Sequence, residues 1–455
     1  MADDDGRSRR HHFLLVAYGF QSHINPGRVL AHRLARLGGA DGSISATLSV
    51  PAATYRCMFP SPDADAAAPE TEATTDDGVI SYVPYSDGVD DGSVPRDAAD
   101  WAARRRATSA SLSAVPVTCI MCTVVFLPAL DVARELDIPV TIYWIQTAAL
   151  LAINYHYFVH GYGELIAAHP ADPAHEVRLP GLSRPLQIGN LPSYQTDMLG
   201  SEGTKAFIEV FQEFFQHIGQ WQPKVKVLVN TLDELERSAL AEMKRHLEVF
   251  TVGPMVGSST ETRIHLFKHD DRDKKRYMEW LQGHPDKSVV YVSFGSLSKY
   301  TKHQMDEIVG GLRQCGRPYL LVVRRDGLAD YDDESGDLEK NTQSKGMVVD
   351  WGNQLEVLSH PAVGCFVSHC GWNSTMEAMV SGVPIIGAPN MFDQPTNMLF
   401  IEEWELGIKA ESNSGGVLMG TELARCIELV MGEGAKAMAI REKAKALRLR
   451  RQQQV

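Results

Sequence analysis

A histidine that closes an apolar run, with glycine, asparagine and serine among the next five residues, is a combination suited to gripping an anion. The segment VGCFVSHCGWNSTMEAM reads as a buried strand ending at His369 and running straight into a helix. Gly371 allows the tight turn, Asn373 and Ser374 are capping residue types, and Glu377 falls in the first turns. The free N–H groups and positive dipole of such a helix start attract negative charge. His369, Asn373 and Ser374 add side-chain donors, so the segment suits a diphosphate without needing lysine. The plain alternative is that the apolar residues here, Trp372 above all, only build a core.

The surrounding text, WGNQLEVLSHPAVGCFVSHCGWNSTMEAMVSGVPIIGAPNMFDQ, runs from Trp351 to Gln394. In length and spacing it resembles the signature box of the family 1 UDP-glycosyltransferases of plants. The resemblance implies a GT-B fold: α/β, with two facing Rossmann-like doubly wound domains and a cleft between them. It also implies a site. Trp351 stacks on uracil, Gln354 meets the base or ribose, and His369 contacts the diphosphate with Asn373 and Ser374. Trp372 belongs to the same motif, Glu377 binds ribose hydroxyls, and Asp393 and Gln394 contact the sugar. Ser296, in the loop after SVVYVSFG, resembles a second diphosphate-side contact. A closing Gln goes with glucose, so UDP-glucose is the expected donor. Two positions depart from the family pattern: Asn353 stands where a proline is usual, and Met391 where a sugar-contacting tryptophan is common.

Transfer to an oxygen acceptor needs a base, and histidine is the usual one near neutral pH. The loop GFQSHINP sets His23 just beyond the first apolar run. It resembles the family's GHINP-type motif, which implies that His23 is the general base. Where many members place an aspartate to orient that histidine, this chain has Thr123. PYSDGVDDG, YWIQTAALL and LPGL resemble the branch that holds anthocyanin 5-O-glucosyltransferases and ester-forming relatives, where Thr is frequent at this place. A carboxylic acid acceptor is already ionised near pH 7 and needs a base less.

The elements that must position these residues form two series. HFLLVAY, SATLSVPAAT, CIMCTVVFL, VTIYWI and VKVLVNTL read as strands buried on both faces, with helices such as PGRVLAHRLARL and PALDVARELD between them. The stretch Pro60 to Asp77 reads as a loop. After the Gly/Pro/Ser/Thr-rich connector 252–262 the pattern starts again with SVVYVSFGS, HQMDEIVGGLRQC, YLLVVR, VGCFVSH and VPIIGA. Strands alternating with helices predict doubly wound parallel sheets. The expected domains are 1–250, binding the acceptor, and 251–455, binding the UDP-sugar.

A chain of 455 residues suits two domains of roughly 200 residues each. A net charge of −13 supplies no broad basic face, which argues against a nucleic-acid partner. Arg104 to Arg106 and Arg448 to Arg451 read as short solvated helix faces. No run of 18 apolar residues occurs and the N-terminus lacks a signal-peptide core, so no membrane span and a cytoplasmic location are expected. The seven cysteines are irregularly spaced, and the CxxC at Cys119 and Cys122 lies in an apolar run; all read as structural. No paired carboxylate motif is placed to hold a metal near the diphosphate, so no metal is expected.

These readings converge on a monomeric inverting O-glycosyltransferase that moves glucose from UDP-glucose to a small apolar phenol or carboxylic acid. Relatives carry a longer helix before CIMCT and a longer C-terminal tail, which motivates an alternative: an impaired homologue that binds UDP-sugar with little transfer. A nicotinamide dehydrogenase is disfavoured, because no GxGxxG follows either leading strand.

Overall fold

The computed structural model describes residues 10–39, 42–60, 75–169, 172–196, 202–257, 271–296, 298–324, 328–329 and 345–454. These fall into two compact units, one within Met1–Ile188 plus Tyr194–Leu266, the other within Gly189–Ser193 plus Phe267–Val455.

The first unit is built on strands β1 (His11–Val16), β2 (Ile44–Pro51), β3 (Thr75–Asp76), β4 (Ser81–Tyr85), β5 (Cys119–Thr123), β6 (Val140–Trp144), β7 (Lys226–Val229) and β8 (Glu248–Thr251). They lie in the order β8-β7-β6-β5-β1-β2-β4-β3, parallel except for the edge pair β3–β4. β5 and β6 are buried at every position, which is why they read as continuous apolar runs. The helices that bear on function are α1 (Gln21–Leu37), α2 (Ala98–Ser113), α3 (Ala148–Val159) and α4 (Arg237–His246).

The second unit has six parallel strands: β9 (Val289–Ser293), β10 (Tyr319–Val322), β11 (Gly346–Val349), β12 (Val363–Ser368), β13 (Ile385–Gly387) and β14 (Gly407–Lys409). Their order is β11-β10-β9-β12-β13-β14. Helices α5 (Lys302–Cys315), α6 (Gln354–Ser359), α7 (Trp372–Ser381), α8 (Gln394–Glu403) and α9 (Gly420–Met431) flank them. On one side Val290, Val292, Leu321, Val367 and Ile386 pack on Ile308 and Leu312 of α5 and Leu423 and Ile427 of α9. Each fully buried aliphatic side chain of this kind contributes about 1.5–3 kcal/mol of transfer free energy.

Several sequence expectations change. His23 is in a helix and not a loop: α1 begins at Gln21, with Pro26 inside it. The apolar run of β2 ends at Pro51, and the following AAT opens a helix. β8, an edge strand with alternating exposure, was hidden by its polar and exposed positions. Of the basic run at 104–106 only Arg106 is exposed as expected. Arg104 is buried and binds Asp87 at 2.9 Å and Asp100 at 3.0 Å, while Arg105 bridges Asp131 and Glu213. A guanidinium is tolerated inside only when paired in this way. Residues 61–74 of the expected loop and 258–262 of the expected connector lie outside the described residues, as do the side chains of residues 449–451 in the second basic run. All seven cysteines are free, and Cys119 and Cys122 are buried in β5. No helix among the described residues is long and apolar enough to cross a membrane.

Candidate functional site

In each unit the strand order reverses beside the leading strand, between β1 and β5 in the first and between β9 and β12 in the second. Chains leaving the carboxyl ends of such strands turn to opposite faces, and the crevice between them is where open α/β sheets bind ligands. The expected site residues gather at these two places.

At the first, β1 leads through Tyr18 and Gly19 into α1, whose N-cap is Phe20 and whose first turn carries His23. β5 ends at Thr123, and the next residue, Val124, holds a backbone φ of 54°. A β-branched residue in that left-handed region is rare. Its N–H bonds the Tyr143 carbonyl at 3.0 Å, which fixes the turn. The Thr123 hydroxyl then lies 2.9 Å from His23 Nδ1. Tyr18 packs edge-on to the imidazole at 5.3 Å, and Phe20 flanks it at 6.0 Å. Tyr18 is itself tied by its hydroxyl to the Val125 carbonyl at 2.6 Å. Burial pushes the His23 pKa down to about 3. The positive end of α1 acts in the same direction. The ring is therefore neutral at pH 7, with one nitrogen a donor and the other an acceptor. If Nδ1–H donates to Thr123, Nε2 is left as the basic nitrogen.

At the second, Ser293 ends β9 in register with Ser368, which ends β12. His369 follows, and its ring is wedged between two glycines. A Cβ added at Gly295 or at Gly371 would lie 2.6 Å from Nε2. Burial pushes the His369 pKa down to about 4, with the Ser293 backbone opposing part of that shift. Cys370 turns the chain with φ 67°, its N–H bonded to Ser368 Oγ at 3.1 Å and its carbonyl to Asn397 Nδ2 at 2.9 Å. α7 then starts on Gly371 as N-cap, with no side-chain cap. Asn373 and Ser374 were expected as caps; they lie inside the first turn instead. Gly371 has no side chain to occupy the amino end of α7, and main-chain donors at such a helix start are the feature an anion site needs.

Ser374 has another task. Gln354 Nε2 donates to Ser374 Oγ and to Glu377 Oε2, each at 2.8 Å, so two expected ribose- and base-side groups converge on one expected at the diphosphate. Gln354 is placed by α6, whose N-cap is Asn353. The Asn353 side chain accepts from Glu356 N–H at 3.4 Å, and its own N–H donates to the Tyr277 hydroxyl at 3.1 Å. The residue that replaces the usual proline therefore does the capping itself. Trp351 is half-buried between β11 and α6. Trp372 is 3 % exposed and packs on Trp404 at 6.0 Å, so its side chain belongs to the core beneath the site.

At the sugar end, Asp393 and Gln394 open α8. Gln394 Oε1 accepts the N–H groups of Asn390 at 2.9 Å and Met391 at 3.1 Å, which closes the loop on itself. Any contact from Gln394 to a ligand then comes from Nε2. Asp393 Oδ2 is held by Asn397 Nδ2 at 2.9 Å, one helical turn on. Phe392, with φ 55°, exchanges bonds with Ser193: Ser193 N–H to the Phe392 carbonyl at 2.9 Å and Phe392 N–H to Ser193 Oγ at 2.8 Å. The Ser296 carbonyl accepts from the Arg324 guanidinium, which pins the loop after β9. Asn397 and Ser193 were not among the expected residues. Among the described residues, the one cluster spaced to hold a metal is His156, His160 and His246.

Comparison with known proteins gives a consistent result. Residues 195–434 match the family model described as UDP-glucoronosyl and UDP-glucosyl transferase. Crocetin glucosyltransferase, chloroplastic, from Gardenia jasminoides is 35 % identical over 96 % of this chain and 92 % of its own length. Anthocyanidin 3-O-glucoside 5-O-glucosyltransferase 1 from Perilla frutescens is 35 % identical over 96 % of this chain and 93 % of its own. The crystal structure of Os79 from O. sativa in complex with UDP superposes with a TM-score of 0.77 at 26 % identity, covering 96 % of this chain and 94 % of that one. The chain therefore has the GT-B fold, as its resemblance implied.

Proposed function

Because this chain belongs to the UDP-glucoronosyl and UDP-glucosyl transferase family, and so is a UDP-glycosyltransferase, we propose that it is an inverting O-glucosyltransferase using UDP-glucose. Its acceptors in this reading are small apolar phenols or carboxylic acids. The amino-terminal unit takes the acceptor and the carboxyl-terminal unit takes the donor. The observation that carries the reading is the glycine-lined His369 beside the Gly371 N-cap of α7.

The donor's uracil stacks on Trp351. Its ribose hydroxyls meet Glu377 and Gln354, and its diphosphate lies on the α7 amino end between His369, Asn373, Ser374 and the Ser296 loop. Gln394 Nε2 and Asp393 meet the glucose hydroxyls. The acceptor oxygen attacks the anomeric carbon as the bond from that carbon to the β-phosphate oxygen breaks, with inversion. The electron pair leaves on UDP, where the main-chain donors of α7 stabilise it. For a hydroxyl acceptor the proton passes to His23 Nε2, with Thr123 holding Nδ1. A carboxylate acceptor brings no proton to remove. Glucose as the sugar rests on Gln394 and on the kinship with plant glucosyltransferases. Action on a phenol, a flavonoid or an acid rests on that kinship and on a neutral, weakly basic His23. No metal takes part in the scheme. A cytosolic location fits the seven free cysteines, and the reading takes the protein as a monomer.

A mass-spectrometric screen of phenols and carboxylic acids against UDP-glucose, UDP-galactose and UDP-glucuronate tests this. Glucosides formed from UDP-glucose in preference to the other donors support it; transfer from another sugar alone refutes the donor. The low basicity of His23 favours a second reading, a homologue that binds UDP-sugar but transfers poorly. UDP binding by calorimetry with no product from any acceptor establishes that reading instead.

A further inference from the structure

On the first unit, away from the crevice, three imidazoles meet at the carboxyl ends of two helices. His156 lies in the last turn of α3, His160 is its C-cap, and His246 is the last residue of α4. His156 Nδ1 and His160 Nδ1 are 2.9 Å apart. His246 Nε2 lies 3.0 Å from Glu242 Oε1. The same carboxylate oxygen is 3.5 Å from His156 Nε2, which is buried in a side chain only 1 % exposed and has no hydrogen-bond partner. One ring nitrogen from each histidine lies within 4.8 Å of the others. The other carboxylate oxygen of Glu242 is taken by Arg245 at 3.2 Å, so Oε1 is the one that faces the imidazoles.

We propose that His156, His160, His246 and Glu242 form a binding site for a first-row transition-metal dication, with Zn2+ the best match. The donor set is three neutral nitrogens and one carboxylate, which suits tetrahedral Zn2+. Bonds of 2.0–2.1 Å place tetrahedral donors about 3.3 Å apart, within reach of small side-chain rotations from the present spacing. His156 to His160 and Glu242 to His246 are each four residues apart, so both pairs project from one helix face. Two helix carboxyl ends point at the cluster, and their dipoles favour a cation there. Three imidazoles crowded together with an unpartnered buried nitrogen are unfavourable without an ion and satisfied with one.

The ion's role follows from where the cluster sits. At the other end of the same two helices, Glu236, the N-cap of α4, accepts the N–H groups of Ala148 and Ala149 at 2.9 Å each. α3 and α4 are thus clamped at their amino ends by a carboxylate, and the metal clamps their carboxyl ends. The 12 residues of α3 separate the two clamps by about 18 Å at 1.5 Å per residue. Because α3 starts at the carboxyl edge of the sheet, the metal is remote from His23 and acts as a staple.

The test uses the full chain, purified without a polyhistidine tag and stripped with a chelator. Zn2+ is titrated in competition with a chromophoric chelator, and the thermal midpoint is read with and without Zn2+. One equivalent per chain, a midpoint raised by several degrees and the visible absorption of tetrahedral Co2+ are expected. His160→Gln and His246→Gln each abolish the equivalent and the shift while leaving the metal-free midpoint and basal transfer in place. Glu242→Gln weakens binding at least tenfold. Absence of a stoichiometric equivalent overturns the proposal. So does an equivalent that survives in the His160→Gln/His246→Gln double variant, which would place the ion on other ligands such as His11 and His12. His160 is exposed, so its single variant keeps the test valid even if His246→Gln unfolds.

Discussion

Thr123 Oγ1 holds the His23 imidazole at 2.9 Å across the point where the first sheet reverses its strand order, and it does so without charge. A hydroxyl orients the ring but does not stabilise the imidazolium that forms when a phenol is deprotonated. An aspartate would do both. Thr123→Asp is expected to raise the His23 pKa, move the acid limb of kcat/KM for a phenol to higher pH, and speed phenol transfer. Transfer to a carboxylic acid should change little. Thr123→Val should slow phenol transfer roughly tenfold, the cost of about one buried hydrogen bond. The pH profiles of the variants on paired acceptors check this, and identical profiles would contradict it.

Acid should destabilise the metal-free protein through its buried imidazoles. His23, His156 and His369 have folded pKa values near 3, 4 and 4, below the ordinary 6.5. As pH falls through 6.5 the unfolded chain takes up protons that the folded chain refuses. Stability is therefore full above about pH 6.5 and declines from there toward pH 4. Asp77 and Glu422, both lowered to about 2, add their loss only in a more acid window. Urea midpoints between pH 7.5 and 5 should fall steadily. His156→Gln should remove up to about 1.4 kcal/mol per pH unit from the slope, one proton's share.

Gly371→Ala isolates the contact between His369 and its glycine walls. Gly371 has φ −60°, which alanine accepts, so the only penalty is a Cβ 2.6 Å from His369 Nε2. UDP affinity measured by calorimetry should fall at least tenfold with the far-UV circular dichroism unchanged. Gly295→Ala adds backbone strain, because its φ is 78°. Unchanged UDP affinity in Gly371→Ala would remove His369 from the diphosphate.

Glu377→Gln tests the ribose side. Gln354 Nε2 loses a charged acceptor at 2.8 Å, worth about 1.5–3 kcal/mol. The KM for UDP-glucose should rise about tenfold or more while kcat stays within a few-fold, the pattern of lost ground-state binding. A fall in kcat at unchanged KM would place Glu377 in the chemistry instead.

The sequence carried the His369–Gly371 elbow plainly, because strand, glycine turn and helix start adjoin in one run. It misplaced the start of α1, because Pro26 looked like a helix opener while the helix tolerates it at an interior position. Asn353 and Met391 read as departures; only the structure shows that Asn353 caps α6. Arg104 is a run of charge in sequence but a buried ion pair in space, since Asp87 reaches it from a distant loop. Asn397 and Ser193 left no motif, although the i,i+4 step from Asp393 to Asn397 was a signal. So was HYFVH at 156–160, whose two histidines share a helix face. The third ligand comes from a helix far along the chain, and only the fold brings it there.

The most direct measurement of the central claim is the initial rate of glucosyl transfer from UDP-glucose to a phenol by His23→Ala against the unmodified protein, with UDP affinity measured in parallel. A general base accounts for about 10²–10⁴-fold of rate. The account predicts a loss of at least a hundredfold with UDP affinity unchanged. Full transfer by His23→Ala would contradict it.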